Sequence, residues 1–444
     1  MLLTGCYNIN EPVRSTSISI IDTNKLGHKK HLNNYDSPYT ICYMNEDDTY
    51  TMYIFASPIQ YKTESGEYAI IDNTVIKTNK PNFIFENKAN NIKTYFPKTL
   101  LKSFLIIKEY NFLEFKLDWD INGFSEAKQT TFTNMYNDEV SAVVYERKDM
   151  DLVFYPTKAG IKTELVLKEK PEDNKFAFIV KSGASEYENN QNGYILFKNG
   201  YEEENIIYQP LVQYTANKGR QLDVTTQMNI YREESGYYVG MIIDDNVIEN
   251  AKYPIKLDPS FEMCLNKIPD STVYSKHDIN NYLASFGIVG GHPIFGEGWH
   301  YSRLRLNYFM TLKQDSFKSA VYYIKTLCDN TKAEDFKTYE SSEQWSSTGM
   351  LWESKKPPGK LISEKTIPLN GYWGISMNEY VKACFDDPNW EKESVGFLMK
   401  VEKQNAYRII ATSDNSLYSP FLKIELTKLP AYFELKENIN QVQF

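Results

Sequence analysis

The sequence predicts an all-β protein, and three observations carry that expectation. Apolar and polar residues alternate in short runs, Asn, Asp, Gly and Pro punctuate those runs, and long helical periodicity is almost absent. The 444-residue chain also holds 34 Tyr and 24 Phe, side chains that suit the pleated, half-buried surface of a sheet. An AT-rich coding sequence would enrich the same residues. One core is not enough for this length, so two or three domains are expected.

The elements follow in order. Thr51–Phe55 is a clear alternating run; Ser57-Pro58 interrupts it, and a second run ends at Tyr61. Glu64-Ser65-Gly66-Glu67 reads as a hairpin turn, with Tyr68–Ile71 as the returning strand. Further strands are expected at Phe104–Lys108, Phe112–Leu117, Ala142–Tyr145, Asp151–Tyr155 and Lys162–Leu167. The turn dipeptides Asn192-Gly193 and Asn199-Gly200 bracket the run Tyr194–Phe197. One helix stands out: Ser376-Met377-Asn378-Glu379 is a capping box, Tyr380, Val381, Cys384 and Phe385 form an apolar stripe, and Pro388 stops it. Tyr253-Pro254-Ile255-Lys256-Leu257-Asp258-Pro259 carries two prolines that limit ladder pairing, and reads as an extended connector. These signals divide the chain into a β-rich N-terminal domain (1–140), a second β-rich domain or continuation of the first (141–258), a sandwich (262–428) and a polar tail (429–444).

Composition excludes several functions. A net charge of -9 argues against nucleic acid as a partner, because phosphate neutralisation needs a basic face. Cys6, Cys42, Cys264, Cys328 and Cys384 are scattered, without the paired spacing of a zinc site or disulfide scaffold, and read mostly as buried thiols. The five histidines form no metal pattern, and no D-x-D-x-D loop marks calcium, so no cofactor is expected, although a sugar-binding sandwich can carry structural calcium. No apolar run is long enough to span a bilayer. Leu3-Thr4-Gly5-Cys6 looks like a lipobox, but only five residues precede Cys6, so the expectation is a chance match or a start placed too late.

From Asp270 onward a series of motifs recurs in a familiar order. Asp270-Ser271-Thr272-Val273-Tyr274-Ser275 opens it, followed by Asn281-Tyr282 and Val289-Gly290. Arg303-Leu304-Arg305-Leu306-Asn307, Phe317-Lys318-Ser319-Ala320 with Val321 to Thr326, and Trp345 with Leu351-Trp352 through Pro357 come next. The capped helix and Tyr418-Ser419-Pro420-Phe421-Leu422-Lys423-Ile424 close it. In this order the segment resembles the DNRLRE-type carbohydrate-binding module, a jelly roll of secreted bacterial and archaeal proteins, although the DNRLRE string itself is absent. The preceding half resembles the N-terminal part of wall-associated and Rhs-type bacterial surface proteins. Ser57-Pro58-Ile59-Gln60-Tyr61-Lys62 with Tyr68 to Asp72, Val143 to Glu146, Gly160 to Leu167 and the Tyr253–Pro259 junction carry that likeness. Together the resemblances imply an all-β chain ending in a jelly-roll sandwich with one short helix.

No catalytic constellation emerges: there is no G-x-S-x-G elbow, no Walker loop and no Cys/His pair at a known spacing. Two carboxylates would suffice for glycoside hydrolysis, but 58 acidic residues make chance pairs certain, so a polysaccharide-active enzyme is the least favoured reading. Sugar binding needs flat aromatic faces and planar polar groups. Trp299, His300 and Tyr301 offer such faces at a strand entrance, and Arg303 and Arg305 fall on one side of the following strand, a guanidinium pair suited to anionic glycans. The bland alternative is that both arginines pair with carboxylates on a neighbouring strand. Gly290-Gly291-His292-Pro293 and Phe295-Gly296-Glu297-Gly298 read as a loop shaping a binding edge, Trp345, Trp352 and Trp119 as core, and Trp373 and Trp390 as undetermined. The expected function is non-catalytic glycan binding or adhesion at a Gram-positive surface, extracellular, with cell-wall or surface polysaccharide as partner. A phage or phage-tail-like particle component, receptor-binding and joined to other particle proteins or to copies of itself, is the leading form. A secreted wall-associated protein and an assembly-only structural protein are the alternatives.

Overall fold

The computed structural model describes residues 27–190, 194–200, 202–208, 210–216, 219–223, 226–264, 270–276, 286–292, 295–303, 316–327, 335–341, 343, 345, 350–366, 370–386, 396–402 and 406–429. The fold is all-β and built from antiparallel sheets; among the described residues the α-helices are Asp245–Asn250 and Asn378–Asp386. The alternating runs all form strands: Tyr50–Phe55, Gln60–Lys62, Tyr68–Ile70, Phe104–Lys108, Asn111–Leu117, Glu139–Glu146, Met150–Pro156, Gly160–Leu167 and Tyr194–Asn199. The Leu3–Cys6 motif, Asn192-Gly193, Trp390 and the tail from 430 lie outside the described residues.

Residues from Asp72 to Met263 build one sandwich. Its first sheet runs Thr226–Glu233, Gly236–Ile243, Lys175–Ser182, Asn111–Leu117, Phe104–Lys108, Lys93–Pro97, Phe83–Ala89, Asp72–Lys77. The second runs Lys128–Thr133, Glu139–Glu146, Met150–Pro156, Gly160–Leu167, Ser260–Met263, Glu202–Tyr208, Tyr194–Asn199, Glu186–Asn190, with Lys252–Leu257 also paired to Gly160–Leu167. Alternate residues of both sheets share one apolar core. Phe115 of the first sheet stacks on Phe261 of the second at 3.9 Å, and Phe104 on Phe154 at 4.1 Å. Gly160 is required at this junction, because a Cβ there would stand 2.2 Å from the Phe261 carbonyl oxygen.

Region 141–258 continues the first domain: a boundary at 140 would cut the strand Glu139–Glu146, and both regions share one sandwich core. The expectation for the connector changes. The Tyr253–Pro259 segment is a paired strand. Its ladder with Val212–Ala216 slips register between Gln213 and Thr215, where Pro254 falls, and Pro259 lies between Lys252–Leu257 and Ser260–Met263.

The C-terminal half is a second sandwich, drawn from both ends of the chain. One layer runs His28–His31, Thr40–Asn45, Tyr50–Phe55, Phe421–Leu426, Phe317–Leu327, Asn370–Ser376. The other runs Tyr407–Ala411, Phe286–His292, Gly296–Ser302, Phe397–Val401, Asp335–Ser341, Pro358–Thr366, with Asp270–Tyr274 added to Gly296–Ser302. Among the described residues the two layers pair at the single position Thr326 with Ile410. The 262–428 segment is therefore not self-contained. Tyr50–Phe55 pairs with Phe421–Leu426 along its full length, and Cys42, Met52 and Ile54 sit in the same core as Tyr322, Phe336, Trp373 and Met399. The Cys42 thiol there is free, and burial pushes it up to about 12. The expected helix forms, but Ser376 ends a strand. The helix starts at Asn378, whose Oδ1 accepts from the Ala320 N–H.

The sandwiches meet across apolar residues of both, including Tyr136, Val153 and Tyr155 from one and Ile288, Ile409 and Tyr418 from the other. The loop 412–420 is buried throughout in this seam. Burial of a loop demands partners for its polar groups, and it finds them: Ser416 Oγ donates to Glu262, Tyr418 OH to Asp138, and the Ser57 N–H to Ser419 Oγ. Lys162 and Asp258 pair at 2.8 Å nearby, both nearly inaccessible to water.

Candidate functional site

The site is built on the solvent-side face of the second layer of the C-terminal sandwich, and period-two alternation decides what lies there. Along Gly296–Ser302, Ser302 Oγ lies 3.4 Å from the core hydroxyl of Tyr322, so Ser302 and His300 face inward while Trp299 and Tyr301 face outward. Phe397, Met399 and Val401 join the core and Leu398 turns outward; Phe336 joins the core and Tyr339 turns outward. Cross-strand register then aligns the outward residues. Val273 lies opposite Trp299, Tyr301 opposite Leu398, Leu398 opposite Tyr339, and Lys400 opposite Lys337.

Trp345 and the segment Met350–Lys356 cover this row and close a small aromatic cluster. Val273, Trp299, Tyr301, Trp345, Met350 and Leu398 are buried in it, with Tyr339 and Trp352 half-buried at its edge. Trp299 and Trp352 meet edge to face at 5.5 Å, and Tyr301 and Trp345 are tilted against each other at 5.6 Å. Tyr301 OH donates to the Lys356 carbonyl at 2.6 Å, which fastens the covering segment down. Trp299 Nε1 donates to Glu297 Oε1 at 2.6 Å.

Cations lie over the rings. Lys355 Nζ is 4.0 Å from the Trp352 centroid and 5.4 Å from that of Trp299, while Lys400 Nζ is 5.2 Å from Trp299 and 5.5 Å from Tyr339. Such contacts are worth about 0.5–1 kcal/mol at exposed sites. Lys337 and Lys400 would repel each other across the ladder, and Glu402 resolves this. It accepts from Lys337 Nζ at 2.7 Å and Tyr339 OH at 3.1 Å and lies 3.4 Å from Lys400. The hydrogen bond from Lys337 leads in holding the Glu402 carboxyl down at about 2.

The sequence-predicted residues are sorted differently from expectation. Trp299 belongs to the cluster. Tyr301 does too, but it is covered by the segment above it and offers no open ring face. His300 points into the sandwich, fully buried, with Nδ1 3.0 Å from Thr272 Oγ1, so it presents no face for a sugar. Its Nε2 has no hydrogen-bond partner, and burial draws the ring down to about 3. Among the described residues Arg303 pairs with no carboxylate. Its guanidinium lies 4.8 Å over the Trp345 ring, Nη2 donates to the Trp345 carbonyl, and burial lowers it from the usual guanidinium range. Arg305 lies outside the described residues, so the guanidinium pair is not on view.

The glycine-rich edge is also different. Gly290, Gly291 and His292 belong to the strand Phe286–His292, and His292 is buried against Phe295 and Tyr407. Gly290 has φ +105°, and a Cβ there would meet the Ala406 carbonyl at 2.2 Å, so its glycine serves strand packing. Trp373 is core, Trp345 is buried, and Trp119 is half-buried against the first sandwich. The residues missed are Tyr339, Lys355, Lys400 and Glu402. The alternations Lys337/Tyr339 and Leu398/Lys400 were the available signal, hidden because the two strands are far apart in sequence. Among the described residues no three His, Cys, Asp or Glu side chains gather as a metal set, and no helix is long and apolar enough to cross a membrane.

No known family profile matches the chain, and no curated protein does. Among solved structures, an exo-β-1,3-galactanase from Phanerochaete chrysosporium with galactose aligns over 84% of this chain and 100% of its own, at 6% identity and a TM-score of 0.13. The SGBP-B protein of the Bacteroides ovatus mixed-linkage glucan utilization locus, in complex with a heptasaccharide, covers 89% of this chain and 93% of its own, at 9% identity and a TM-score of 0.14. The N-terminal domain of a Streptococcus gordonii adhesin covers 94% and 87%, at 8% identity and a TM-score of 0.11. Scores of this size do not establish a common fold.

Proposed function

We propose that the protein is a non-catalytic glycan-binding protein directed at a bacterial surface, and that its aromatic face takes cell-wall or surface polysaccharide. The observation that carries this reading is the outward row of Trp299, Trp352 and Tyr339, rimmed by Lys355, Lys400, Lys337 and Glu402. The half-buried Trp352 and Tyr339 rings at the edge of the cluster, beside charged groups, fit the C–H face and the hydroxyls of a sugar, and the lysines over the rings are held weakly enough to exchange for it. The chemistry at the face favours binding over hydrolysis. A general acid needs a raised carboxyl, whereas Glu402 is held low. The resemblance of the sequence from Asp270 onward to the DNRLRE-type module supports the same reading. A phage or tail-like particle component and a wall-associated protein would present this face to the same polymer, and the neighbouring genes separate them.

The test is sedimentation of the full chain with purified Gram-positive cell walls, before and after removal of their anionic polymers. Trp352→Ala and Tyr339→Ala, both at the edge of the cluster, are each expected to weaken binding roughly tenfold, the loss of about 1.4 kcal/mol. A folded chain that ignores walls and forms defined oligomers would overturn the glycan reading in favour of assembly.

A further inference from the structure

Away from the aromatic face, a cleft of about 290 Å³ opens where the N-terminal strands pass from the second sandwich to the first. The chain makes this crossing between Phe55 and Asp72, with the short hairpin Gln60–Lys62 and Tyr68–Ile70 on the way. The hairpin forms one wall, and Asn91, Ile92, Lys108 and Lys158 of the first sandwich form the other. Ile59 and Gln60 hold the wall in place. The Ile59 N–H donates to the Pro38 carbonyl, and Gln60 Nε2 donates to the carbonyls of Ser37 and Thr40 at 3.0 and 2.9 Å.

The lining has an unusual chemical bias. Of its 12 residues, three are lysines (Lys62, Lys108, Lys158), three are tyrosines (Tyr39, Tyr61, Tyr68), and none is acidic. The chain as a whole has 58 acidic against 49 basic residues, so a wall with no carboxylate is the exception on this molecule. Lys158 is the inner cation. It is almost wholly buried, its Nζ donates to Ser57 Oγ at 2.7 Å, and burial draws it down to about 7. The carboxylate acting on it is Glu262, which burial itself raises to about 7 and which is engaged by Ser416. Burial disfavours the charged form of Lys158, and an anion in the cleft would favour it. Tyrosine rings and the Asn91 amide in the same lining suit a hydroxylated ring or polyol. The volume stands at the small end of ligand clefts, which run to roughly 300–1,000 Å³, so it suits one unit and not a long chain.

We propose that this cleft binds a single anionic carbohydrate unit, a sugar or polyol bearing a carboxylate or phosphate, with Lys158 as the inner cation and Lys62 and Lys108 at the mouth. The site does not depend on the aromatic face, and the two are separable by experiment. The full chain would be titrated calorimetrically with glucuronic acid and galacturonic acid in one arm, glycerol 3-phosphate and glucose 6-phosphate in a second, and glucose and galactose in a third. Binding is expected in one of the two anionic arms, which identifies the charged group, and not in the neutral arm. Lys62→Glu and Lys108→Glu, both outside the core, should each weaken it roughly tenfold or more, and Lys158→Met should abolish it. Trp352→Ala should leave it unchanged. Equal heats from neutral and anionic sugars, no heat from any anionic unit, or anion binding indifferent to both mouth variants, would overturn the proposal. The mouth variants keep the test decisive should Lys158→Met fail to fold.

Discussion

The two sandwiches solve the same packing problem with different connectivity. The first closes a phenylalanine-rich core from one continuous stretch, Asp72 to Met263. The second closes its core with strands more than 300 residues apart, Tyr50–Phe55 against Phe421–Leu426. Its outward face is then left to the central strands, where the aromatic cluster sits. The difference teaches where a functional surface depends on distant sequence. The first sandwich can form once its own span is made, whereas the second, and any ligand face it carries, waits for Phe421–Leu426. Long loop closure of that kind is slow to reward.

The sharpest way to break the comparison is to remove the early strands. A chain starting at Ala56 loses the full partner of Phe421–Leu426 and the core residues Cys42, Met52 and Ile54. The C-terminal sandwich is expected to lose its protection completely in amide hydrogen exchange, while strands such as Asn111–Leu117 and Lys175–Ser182 keep theirs. Equal loss in both would mean that the sandwiches fold as one unit.

A smaller perturbation acts in the opposite sense. Phe115→Ala removes a ring stacked on Phe261 and packed beside Phe104 and Phe178. Large-to-small changes of this kind cost about 3–5 kcal/mol. Denaturant unfolding should show that loss in the first sandwich, with the aromatic face of the second still able to bind. A cost below about 1 kcal/mol would mean that the site collapses to fill the cavity.

Much of this was legible in the sequence, and the illegible part has a physical pattern. Alternation located strands such as Phe104–Lys108 and Gly160–Leu167 because one face of each must be buried, a local property. Partner choice is not local. Nothing in Thr51–Phe55 names residues 421–426, so the early strands were assigned to the wrong half of the chain. Proline in Tyr253–Pro259 read as a break because pairing was judged without the register slip that admits it. The candidate site was legible in its anchor, Trp299, and illegible in its rim, because Tyr339, Lys355 and Lys400 come from three other segments. The misreading of His300 was avoidable: as the neighbour of Trp299 and Tyr301 on a strand, it had to face the other way.

That opposite facing gives the gentlest test of the comparison. His300 is fully buried and its ring lies at about 3, whereas the unfolded chain returns it to about 6.5. Its folded value is depressed, so its contribution to stability is fully present above about pH 6.5 and is lost as pH falls toward 3, at no more than about 1.4 kcal/mol per pH unit. Glu262 of the first sandwich, raised by burial to about 7, acts across the same window in the opposite sense, since its contribution is present below about pH 4.5 and lost as pH rises through 7, so the comparison with His300→Gln is what isolates the ring. Stability of the C-terminal sandwich should therefore fall between pH 6 and 4 more steeply in the native chain than in His300→Gln, measured by urea unfolding at each pH. Glu402, held at about 2 from the outer face, works on a lower window: its contribution is present above about pH 4.5 and lost below that. Identical slopes in the two chains between pH 6 and 4 would show that the ring is protonated in place, and that the inner face of the ligand-bearing layer is wetter than its packing implies.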